Sequence, residues 1–350
     1  MKVVSIVGAR PQFVKAAAVS RRLRERHTEF LVHTGQHYDY EMSGIFFDGL
    51  DLPAPDINLE AGSGSHGQQT GTMLASIEGV LQRERPDCVL VYGDTNSTLA
   101  GALAASKLHI PVVHVEAGLR SFNRAMPEEI NRVVADRLST QLFCPSDTAV
   151  RNLAAEGIAD HVHMVGDVML DVLQAAQPRA DCQRPALLAR FGLEHGRFVF
   201  ATIHRAENTD DVHRFLDILS AVNSLEEPML FPAHPRVRRL LDQHGSALGS
   251  HVRVIEPLGY VETVALIKAA RMVLTDSGGL QKEAYWLGAP CVTLRDETEW
   301  VETVAAGWNR LVGSDPDRIL DAVRSFVPPA AHPALYGDGL ASSKCVELLD

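Results

Sequence analysis

The chain has 350 residues, of which 46% are hydrophobic and 22% are charged, and its formal net charge is −11 at pH 7. This length favours two domains over one, and the composition excludes a disordered tail or a small disulfide-stapled scaffold. The acidic balance disfavours general binding to nucleic acid, although a cleft in an acidic protein can be locally basic. No apolar run approaches the roughly 18–20 residues of a membrane-spanning helix, so we expect neither a nucleic-acid nor a membrane partner.

The cysteines indicate a protein of a reducing compartment. They are widely spaced, odd in number and without any Cys-x-x-Cys pair: Cys88, Cys144, Cys182, Cys291 and Cys345. We therefore expect free thiols and a cytoplasmic location. The N-terminal apolar run stops at Gly8 and no small-residue cleavage site follows, which indicates a first strand and not a targeting signal.

Short apolar runs alternate with helical patterns in the first half of the chain. Such runs are typical of strands that are buried on both faces of a parallel sheet. The pattern predicts strands over residues 3–7, 30–33, 88–92, 112–115, 142–144 and 163–165. It predicts helices between them over residues 12–26, 67–84, 97–107, 128–139 and 147–156.

The same alternation restarts after residues 172–185, where the segment AAQPRADCQRP is typical of a linker. The second half has predicted strands over residues 198–203, 229–231, 252–254, 272–275 and 291–293. Its predicted helices cover residues 211–223, 236–243, 260–270, 279–286 and 316–325. The sequence thus predicts an α/β protein with two Rossmann-like, doubly wound domains, residues 1–168 and 172–335, and a cleft between them.

Polar residues of the first domain gather where its predicted strands end. In open parallel sheets, ligands bind beyond the carboxyl ends of the strands. The candidates there are Arg10, Lys15, Asp94, Glu116, Arg120, Arg124, Glu128 and Arg132. Glu116 directly follows a buried strand, where carboxylates have partners or functions. Ordinary roles remain open for two others, since Asp94 could cap the next helix and Glu128 could pair with Arg132 four residues on.

The residues at the strand ends of the second domain are of types that bind phosphate groups. The segment HRAEN supplies His204 and Arg205, and DSGGLQKEA supplies Ser277, Gly278, Gly279 and Glu283. Two glycines before a helix allow close approach of the backbone to a phosphate, whose charge the helix N-terminus favours. The segment matches no dinucleotide or Walker motif, and Ser-Gly-Gly also begins ordinary helices. Combined with Arg10, these residues predict a diphosphate site.

Three further histidines have side chains of the type that binds ligands or metals. His234, in the segment PAHPR, is a candidate for the cleft. His161 and His163 alternate along a strand, but no third ligand lies at a convincing spacing for a metal. The sequence therefore predicts no metal.

Nine segments together resemble the UDP-N-acetylglucosamine 2-epimerase family of the non-hydrolysing bacterial type. They are GARPQFVK, GDTNST, HVEAGLRS, MPEEINR, VGDVMLD, HRAEN, HPR, LTDSGGLQKEA and RDETEW. The resemblance covers nearly the whole chain and implies two domains arranged as in GT-B glycosyltransferases, with UDP in the cleft. It also implies a homodimer, no cofactor such as NAD, and a C-terminal segment (about 338–350, with a helix over 342–349) that returns to the first domain.

The resemblance implies roles for individual residues. The acidic catalytic set falls on Asp94, Glu116 and Glu128. The phosphate side falls on Arg10, His204 and Ser277 with Gly278 and Gly279, the ribose carboxylate on Glu283, and further site residues on Lys15 and Arg132. In the family, one group removes the proton of sugar carbon 2 while UDP leaves carbon 1, and UDP then adds back with a proton delivered to the other face. Such chemistry needs two acid/base groups and donors for the leaving diphosphate.

Some segments depart from the pattern of enzymes that act on UDP-N-acetylglucosamine. The opening GARPQ replaces GTRPE, and with SFNRAMPEEINR and LRDETEWVE it is similar to the branch acting on UDP-2,3-diacetamido-2,3-dideoxyglucuronate. The extra carboxylate of a uronate requires a cation, for which Arg120 and Arg124 are the candidates. The family's activator-binding segment corresponds to GQHYDYEM, which retains only Gln36 and His37.

The expected function is therefore a UDP-sugar 2-epimerase that makes precursors of surface polysaccharides. The same fold and ligand also fit a hydrolysing epimerase or a GT-B glycosyltransferase. A non-catalytic regulator that binds nucleotide sugars is a third hypothesis. Three placed carboxylates argue against it, because a binder of an anionic diphosphate gains nothing from negative charge.

Overall fold

The structure, a computed structural model, describes residues 1–36, 52–244 and 248–350, with the side chain of Arg10 outside this description. The chain forms two compact units, one from Met1–Ala175 with Tyr336–Asp350 and the other from Ala176–Leu335. Each contains a parallel sheet flanked by helices, which confirms the predicted α/β class with two Rossmann-like sheets. None of the helices within the described ranges is long and apolar enough to cross a membrane.

The sheet of the first unit has the strand order β3-β2-β1-β4-β5-β6-β7, and its pairings are parallel. The strands are β1 (Lys2–Val7), β2 (Thr28–His33), β3 (Ile57–Asn58), β4 (Cys88–Tyr92), β5 (Val112–Val115), β6 (Gln141–Cys144) and β7 (Val162–Met164). The helices are Arg10–Arg26, His66–Glu84, Asn96–Lys107, Pro127–Leu138, Asp147–Ala155 and, from the C-terminus, Ala341–Glu347. The direction of winding reverses between β1 and β4.

The second unit repeats this winding with the order β10-β9-β8-β11-β12-β13. Its strands are β8 (Val199–Thr202), β9 (Met229–Pro232), β10 (Val252–Ile255), β11 (Met272–Thr275), β12 (Cys291–Thr293) and β13 (Asn309–Leu311). Its helices are Ala206–Thr209, Val212–Asn223, Pro235–Gln243, Tyr260–Ala269, Gly278–Trp286, Val301–Ala305 and Pro316–Ser325. Here the winding reverses between β8 and β11.

The central strands form the cores because helices cover both faces. Val4 and Ile6 of β1 and Val89 and Val91 of β4 have no exposed surface. The central strands of the second unit are likewise buried through Phe200, Leu274 and neighbouring residues. Burial on both faces explains why these strands are largely apolar and do not alternate with polar residues.

The prediction of a linker at residues 172–185 is wrong, because this segment lies inside a helix, Val168–Phe191. Buried residues recur along it at helical spacing: Met169, Leu173, Ala176, Ala180, Leu187 and Phe191. Pro178 and Pro185 lie on its exposed side, where each removes one backbone donor. The buried stripe and the helix-forming Leu, Ala, Gln and Arg residues outweigh that loss. The division between the two units falls within this helix.

The C-terminal helix Ala341–Glu347 belongs to the first unit. Asp171 fixes its start, because Oδ2 accepts hydrogen bonds from Ser342 N at 2.7 Å and Ser342 Oγ at 2.5 Å, and Oδ1 accepts from Ala341 N at 3.1 Å. A carboxylate at this position satisfies donors that have no partner within the helix.

Candidate active site

The candidate residues follow strands on either side of the winding reversal in each sheet. In the first unit, Lys15 lies in the helix after β1, Asp94 follows β4 and Glu116 follows β5. In the second unit, His204 follows β8, and Asp276 and Ser277 follow β11. This is where open parallel sheets bind their ligands.

Lys15 and Glu116 form a buried ion pair. Lys15 Nζ lies 2.5 Å from Glu116 Oε1, and the two side chains are only 7% and 6% exposed. Burial alone lowers the pKa of Lys15, but the negative charges of Glu116 and Asp94 outweigh it, so the pKa lies above its ordinary value. The pair therefore places one fixed positive charge among the carboxylates of this edge.

Glu116 is held in a strained backbone conformation. Its φ is +71°, in the left-handed region that a residue with a Cβ seldom adopts. The N–H groups of Glu116 and Ala117 both donate to the carbonyl of Phe143, at 3.1 and 3.0 Å. Strain of this kind persists where the surroundings over-determine it, and it concentrates at functional sites.

Asp94 binds Arg132, and the prediction that it could cap the following helix is wrong. Asp94 Oδ2 contacts Arg132 Nη2, whereas Thr95 caps the helix by accepting from Thr98 N. The backbone carbonyl of Asp94 also accepts from Asn131 Nδ2 at 2.9 Å. The helix that carries Arg132 and Asn131 thus fixes the strand end that carries Asp94.

Arg132 pairs with Glu129 and not with Glu128, which corrects the ion pair expected from a four-residue spacing. Arg132 Nη1 donates to Glu129 Oε2 at 2.8 Å. Glu129 is buried and also accepts from the backbone N–H groups of Ser121 and Phe122 at 2.9 and 3.0 Å. Glu128 is half-buried and has no hydrogen-bond or ion-pair partner in the described part of the chain.

Arg120, a predicted substrate cation, is occupied by other groups of the unit. Its Nε and Nη2 donate to the two carboxylate oxygens of Glu156 at 2.6 and 2.9 Å, and Nη1 donates to Asp136 at 2.7 Å. With its side chain only 1% exposed, it acts as a structural residue. Arg124 is exposed and forms no ion pair with the other described residues.

Asp136 and His114 form a buried network that sequence reasoning missed. Asp136 Oδ1 lies 2.7 Å from His114 Nδ1, and His114 Nε2 lies 2.7 Å from the carbonyl of Gly93, the residue before Asp94. Burial raises the pKa of Asp136, but His114 and Arg120 more than compensate, so the pKa is lowered. The signal was present, since His114 is the only polar residue of β5 (VVHV).

In the second unit, Asp276 organises the segment after β8. It has no exposed surface, and its carboxylate accepts hydrogen bonds from the backbone N–H groups of His204 and Arg205. His204 Nδ1 lies 3.0 Å from Asp276 Oδ1, and the imidazole is half exposed. Burial raises the pKa of Asp276, but His204 and these donors outweigh it, so the pKa is lowered and the carboxylate stays ionised at neutral pH.

Ser277 caps the helix Gly278–Trp286 and lies at the end of β11. Its Oγ accepts from Leu280 N at 3.4 Å. An added Cβ at Gly278 would lie 3.1 Å from Glu299 Oε1 and 3.3 Å from Trp300 Nε1, so this position favours glycine. Gly279 follows in the first turn. Glu283 lies further along this helix and is only 3% exposed. First-turn N–H groups lack partners within the helix and suit a phosphate oxygen.

The structure gives fewer side-chain contacts for the other predicted cations. Arg205 is half-buried, and its guanidinium has no partner in the described ranges. His234 caps the helix Pro235–Gln243, where its Nδ1 accepts from Arg236 N at 3.3 Å. Arg10 is the first residue of its helix, but its side chain lies outside the described part, as does the whole of His37.

The structure therefore brings the candidates together in two sets, each within its own unit. In the first unit, contacts join Lys15, Asp94, Glu116 and Arg132, and Glu128 lies one turn before Arg132 on the same helix; these five residues are the acid set. The anion set of the second unit consists of His204, Arg205, Ser277, Gly278, Gly279 and Glu283. No group of three His, Cys, Asp or Glu side chains suited to a metal occurs in the described residues.

Comparison with known proteins identifies the family. A model described as UDP-N-acetylglucosamine 2-epimerase matches residues 21–350. A Methanococcus maripaludis protein named UDP-N-acetylglucosamine 2-epimerase homolog is 51% identical over 100% of this chain and 99% of its own length. A Pseudomonas aeruginosa protein named UDP-2,3-diacetamido-2,3-dideoxy-D-glucuronate 2-epimerase is 50% identical, with the same coverage.

A solved structure supports the same family as these two relatives. The Methanocaldococcus jannaschii UDP-GlcNAc 2-epimerase in complex with UDP-GlcNAc and UDP is 41% identical, with a TM-score of 0.93 over 100% of this chain and 99% of that one. The match extends through both units and includes the strand ends that carry the two sets. The chain belongs to the UDP-N-acetylglucosamine 2-epimerase family.

Proposed function

We propose that this protein inverts carbon 2 of a UDP-2-acetamido sugar by elimination and re-addition of UDP. The observation that carries the proposal is the acid set: Asp94 and Glu116 follow neighbouring strands and form ion pairs with Arg132 and Lys15, and Glu128 lies on the helix that carries Arg132. Family membership supports the same reaction class. No cofactor takes part in the proposed reaction.

The acid set performs the proton transfers. One carboxylate takes the proton of carbon 2, and the electron pair of the C–H bond forms the C1=C2 double bond of a glycal. At the same time the C1–O bond breaks, and its electron pair leaves with UDP. Another acid delivers a proton to the opposite face as UDP adds back to carbon 1. Within the described residues Glu128 has no hydrogen-bond or ion-pair partner, whereas Asp94 and Glu116 are paired, and this difference supports distinct roles for these groups.

The anion set binds the UDP group. His204 and Arg205 supply positive or donor groups, and the helix that begins at Gly278 supplies backbone N–H groups to the diphosphate. Glu283 lies on the same helix and accepts from the ribose hydroxyls. In this proposal, the first unit carries the chemistry and the second unit carries the nucleotide.

The sugar is either UDP-N-acetylglucosamine or its 2,3-diacetamido uronate analogue. Arg124 is the cation left for a uronate carboxylate, because Glu156 and Asp136 occupy Arg120. The variant Arg124→Gln then raises KM for the uronate by about tenfold, the loss expected of a charge-assisted contact. KM for UDP-N-acetylglucosamine stays unchanged and serves as the control.

Turnover in heavy water tests the reaction. Each sugar nucleotide is incubated with the protein in D2O, and NMR follows the proton of carbon 2. We expect its signal to disappear while the manno epimer accumulates with deuterium at that carbon. Free UDP in proportion to turnover indicates a hydrolysing epimerase, and UDP release that requires an acceptor indicates a glycosyltransferase. Tight binding without exchange, unchanged by Glu116→Gln, indicates a regulator.

We further propose that the protein works in the cytoplasm as a homodimer and supplies precursors of surface polysaccharides. The five free cysteines suit a reducing compartment. The dimer and the role in polysaccharide synthesis are supported by the resemblance to the family. Light scattering on a size-exclusion column measures the dimer directly.

A further inference from the structure

The two oxygens of the buried Asp276 carboxylate have different partners. Oδ2 accepts from three N–H donors: His204 N at 3.0 Å, Arg205 N at 3.0 Å and Asn208 Nδ2 at 3.2 Å. Oδ1 faces the ring of His204, with Nδ1 at 3.0 Å, and is 3.1 Å from His204 N. Oδ2 therefore holds the backbone and Asn208, whereas Oδ1 faces the imidazole and shares the backbone N–H of His204 with Oδ2.

This geometry favours a proton on Nδ1. A carboxylate without a proton only accepts hydrogen bonds, and Oδ1 lies 3.0 Å from Nδ1, so its negative charge stabilises the ring with the proton on that nitrogen. The low pKa of Asp276 keeps the carboxylate in that form at neutral pH. Nε2 is then the nitrogen left to face a ligand, and the half-exposed imidazole gives access to it.

We propose that Asp276 is a positioning residue for His204, which it holds in the Nδ1–H form so that Nε2 is the atom that meets the diphosphate. The assignment rests on the proposed function, in which His204 lies on the phosphate side of the substrate. When the diphosphate binds, Nε2 takes up a proton from solvent, and the ring becomes an imidazolium whose charge the Asp276 carboxylate balances. As the C1–O bond breaks, the electron pair passes to the phosphate oxygen, which accepts a hydrogen bond from this Nε2–H. On re-addition, the C1–O bond forms again and the hydrogen bond to Nε2 weakens.

The substitution Asp276→Asn separates the two sides of the side chain. In the variant, the amide oxygen occupies the Oδ2 position, because the three N–H donors there need an acceptor and an amide NH2 group is a donor. The amide nitrogen therefore occupies the Oδ1 position and donates to Nδ1. The ring must then carry its proton on Nε2. The backbone N–H groups of His204 and Arg205 keep their contacts at the Oδ2 position, and only the shared contact of His204 N with Oδ1 is lost. The tautomer reverses while the backbone remains held, which separates the positioning role from a structural one.

Nitrogen-15 NMR of histidine-labelled protein reads the tautomer without substrate. At a pH where His204 is neutral, we expect a protonated Nδ1 and an unprotonated Nε2 in the wild type, and the reverse in Asp276→Asn. The signal that disappears in His204→Gln identifies the residue. A wild-type ring protonated on Nε2, or an unchanged tautomer in folded Asp276→Asn, overturns the proposal.

Kinetics on a double-mutant cycle supply the second readout. We expect Asp276→Asn to lower kcat by about 10²-fold with KM within about threefold, and His204→Gln to lower kcat by a similar factor. In the His204→Gln background, Asp276→Asn adds less than about twofold, because Asp276 acts through that ring. Losses that multiply overturn the proposal. If the wild type has the expected tautomer but exchanges no carbon-2 hydrogen, the proposed function fails while the tautomer assignment stands.

Discussion

Lys15 and Glu116 come from different strand ends, yet their side-chain charges meet at 2.5 Å in a site from which water is almost excluded. The substitution Lys15→Met leaves the Glu116 carboxylate buried without its counter-ion. We expect the free energy of unfolding of the first unit to fall by about 3–5 kcal/mol. Denaturant unfolding measures the loss, and the double variant Lys15→Met/Glu116→Gln recovers most of it. A double variant as unstable as the single one contradicts the pairing.

The same pair predicts a loss of stability in alkali. The pKa of Lys15 is raised in the folded state, so its stabilising contribution is complete below the unfolded value of about 10.4. That contribution is lost as the pH rises through the folded pKa. We expect the stability of the wild type to fall above about pH 10.4 more steeply than that of Lys15→Met/Glu116→Gln, in melting curves recorded across that range. Equal slopes exclude a titration of Lys15.

Glu128 and Glu129 are neighbours with opposite expected behaviour. Glu128→Gln lowers kcat by about 10²-fold or more and leaves the melting temperature unchanged, because no described partner depends on the carboxylate. Glu129→Gln weakens the contacts to Arg132, Ser121 and Phe122. We expect the free energy of unfolding to fall by about 1–3 kcal/mol, which lowers the melting temperature by several degrees. Steady-state turnover and calorimetry on both variants measure the contrast. An inactive but stable Glu129→Gln beside a fully active Glu128→Gln reverses the assignment.

Asp136 predicts sensitivity to acid. Its pKa is lowered in the folded state, so it stabilises the fold above the unfolded value of about 3.9, and the contribution is lost as the pH falls below that value. Asp136→Asn breaks the contacts to His114 and Arg120 and costs about 3 kcal/mol at neutral pH. We expect the variant to lose less stability than the wild type between about pH 4 and pH 2. Parallel loss in both proteins contradicts this role.

The thiols give a test of packing that is independent of function. Of the five cysteines only Cys182 is exposed, and burial raises the pKa of Cys88 to about 11 and those of Cys144 and Cys291 to about 12. A thiol reagent at neutral pH labels one cysteine in the native protein and all five after unfolding. Mass spectrometry of the labelled peptides identifies Cys182. Rapid labelling of Cys144 or Cys291 contradicts the fold.

Sequence reasoning succeeded where burial determined the pattern. The central strands of both sheets are largely apolar because helices cover both of their faces, so runs such as VLVY in β4 were recognisable. It failed for Val168–Phe191, where two prolines concealed a helix whose buried stripe depends on tertiary packing. The two-residue β3 and the short helix Ala206–Thr209 carry too few residues to show a period.

The sequence predicted which sheet edge carries the candidate residues, but it did not predict their hydrogen-bond and ion-pair partners. The rule for parallel sheets predicted that Lys15, Asp94 and Glu116 gather at one edge. Local spacing favoured Glu128 for Arg132, although the structure pairs Arg132 with Asp94 and Glu129. Asp276 was seen only as part of a glycine motif, since its contact with His204 joins residues 72 positions apart in the sequence. Partners of this kind depend on tertiary structure.

Cleavage of the C1–O bond is the central step of the account, and positional isotope exchange measures it directly. A UDP-sugar with ¹⁸O between carbon 1 and the β-phosphorus is incubated with the protein, and ³¹P NMR follows the label. We predict that ¹⁸O appears in the non-bridging β-phosphate positions while the manno epimer forms. Epimerisation with the label retained in the bridge would contradict elimination and re-addition of UDP.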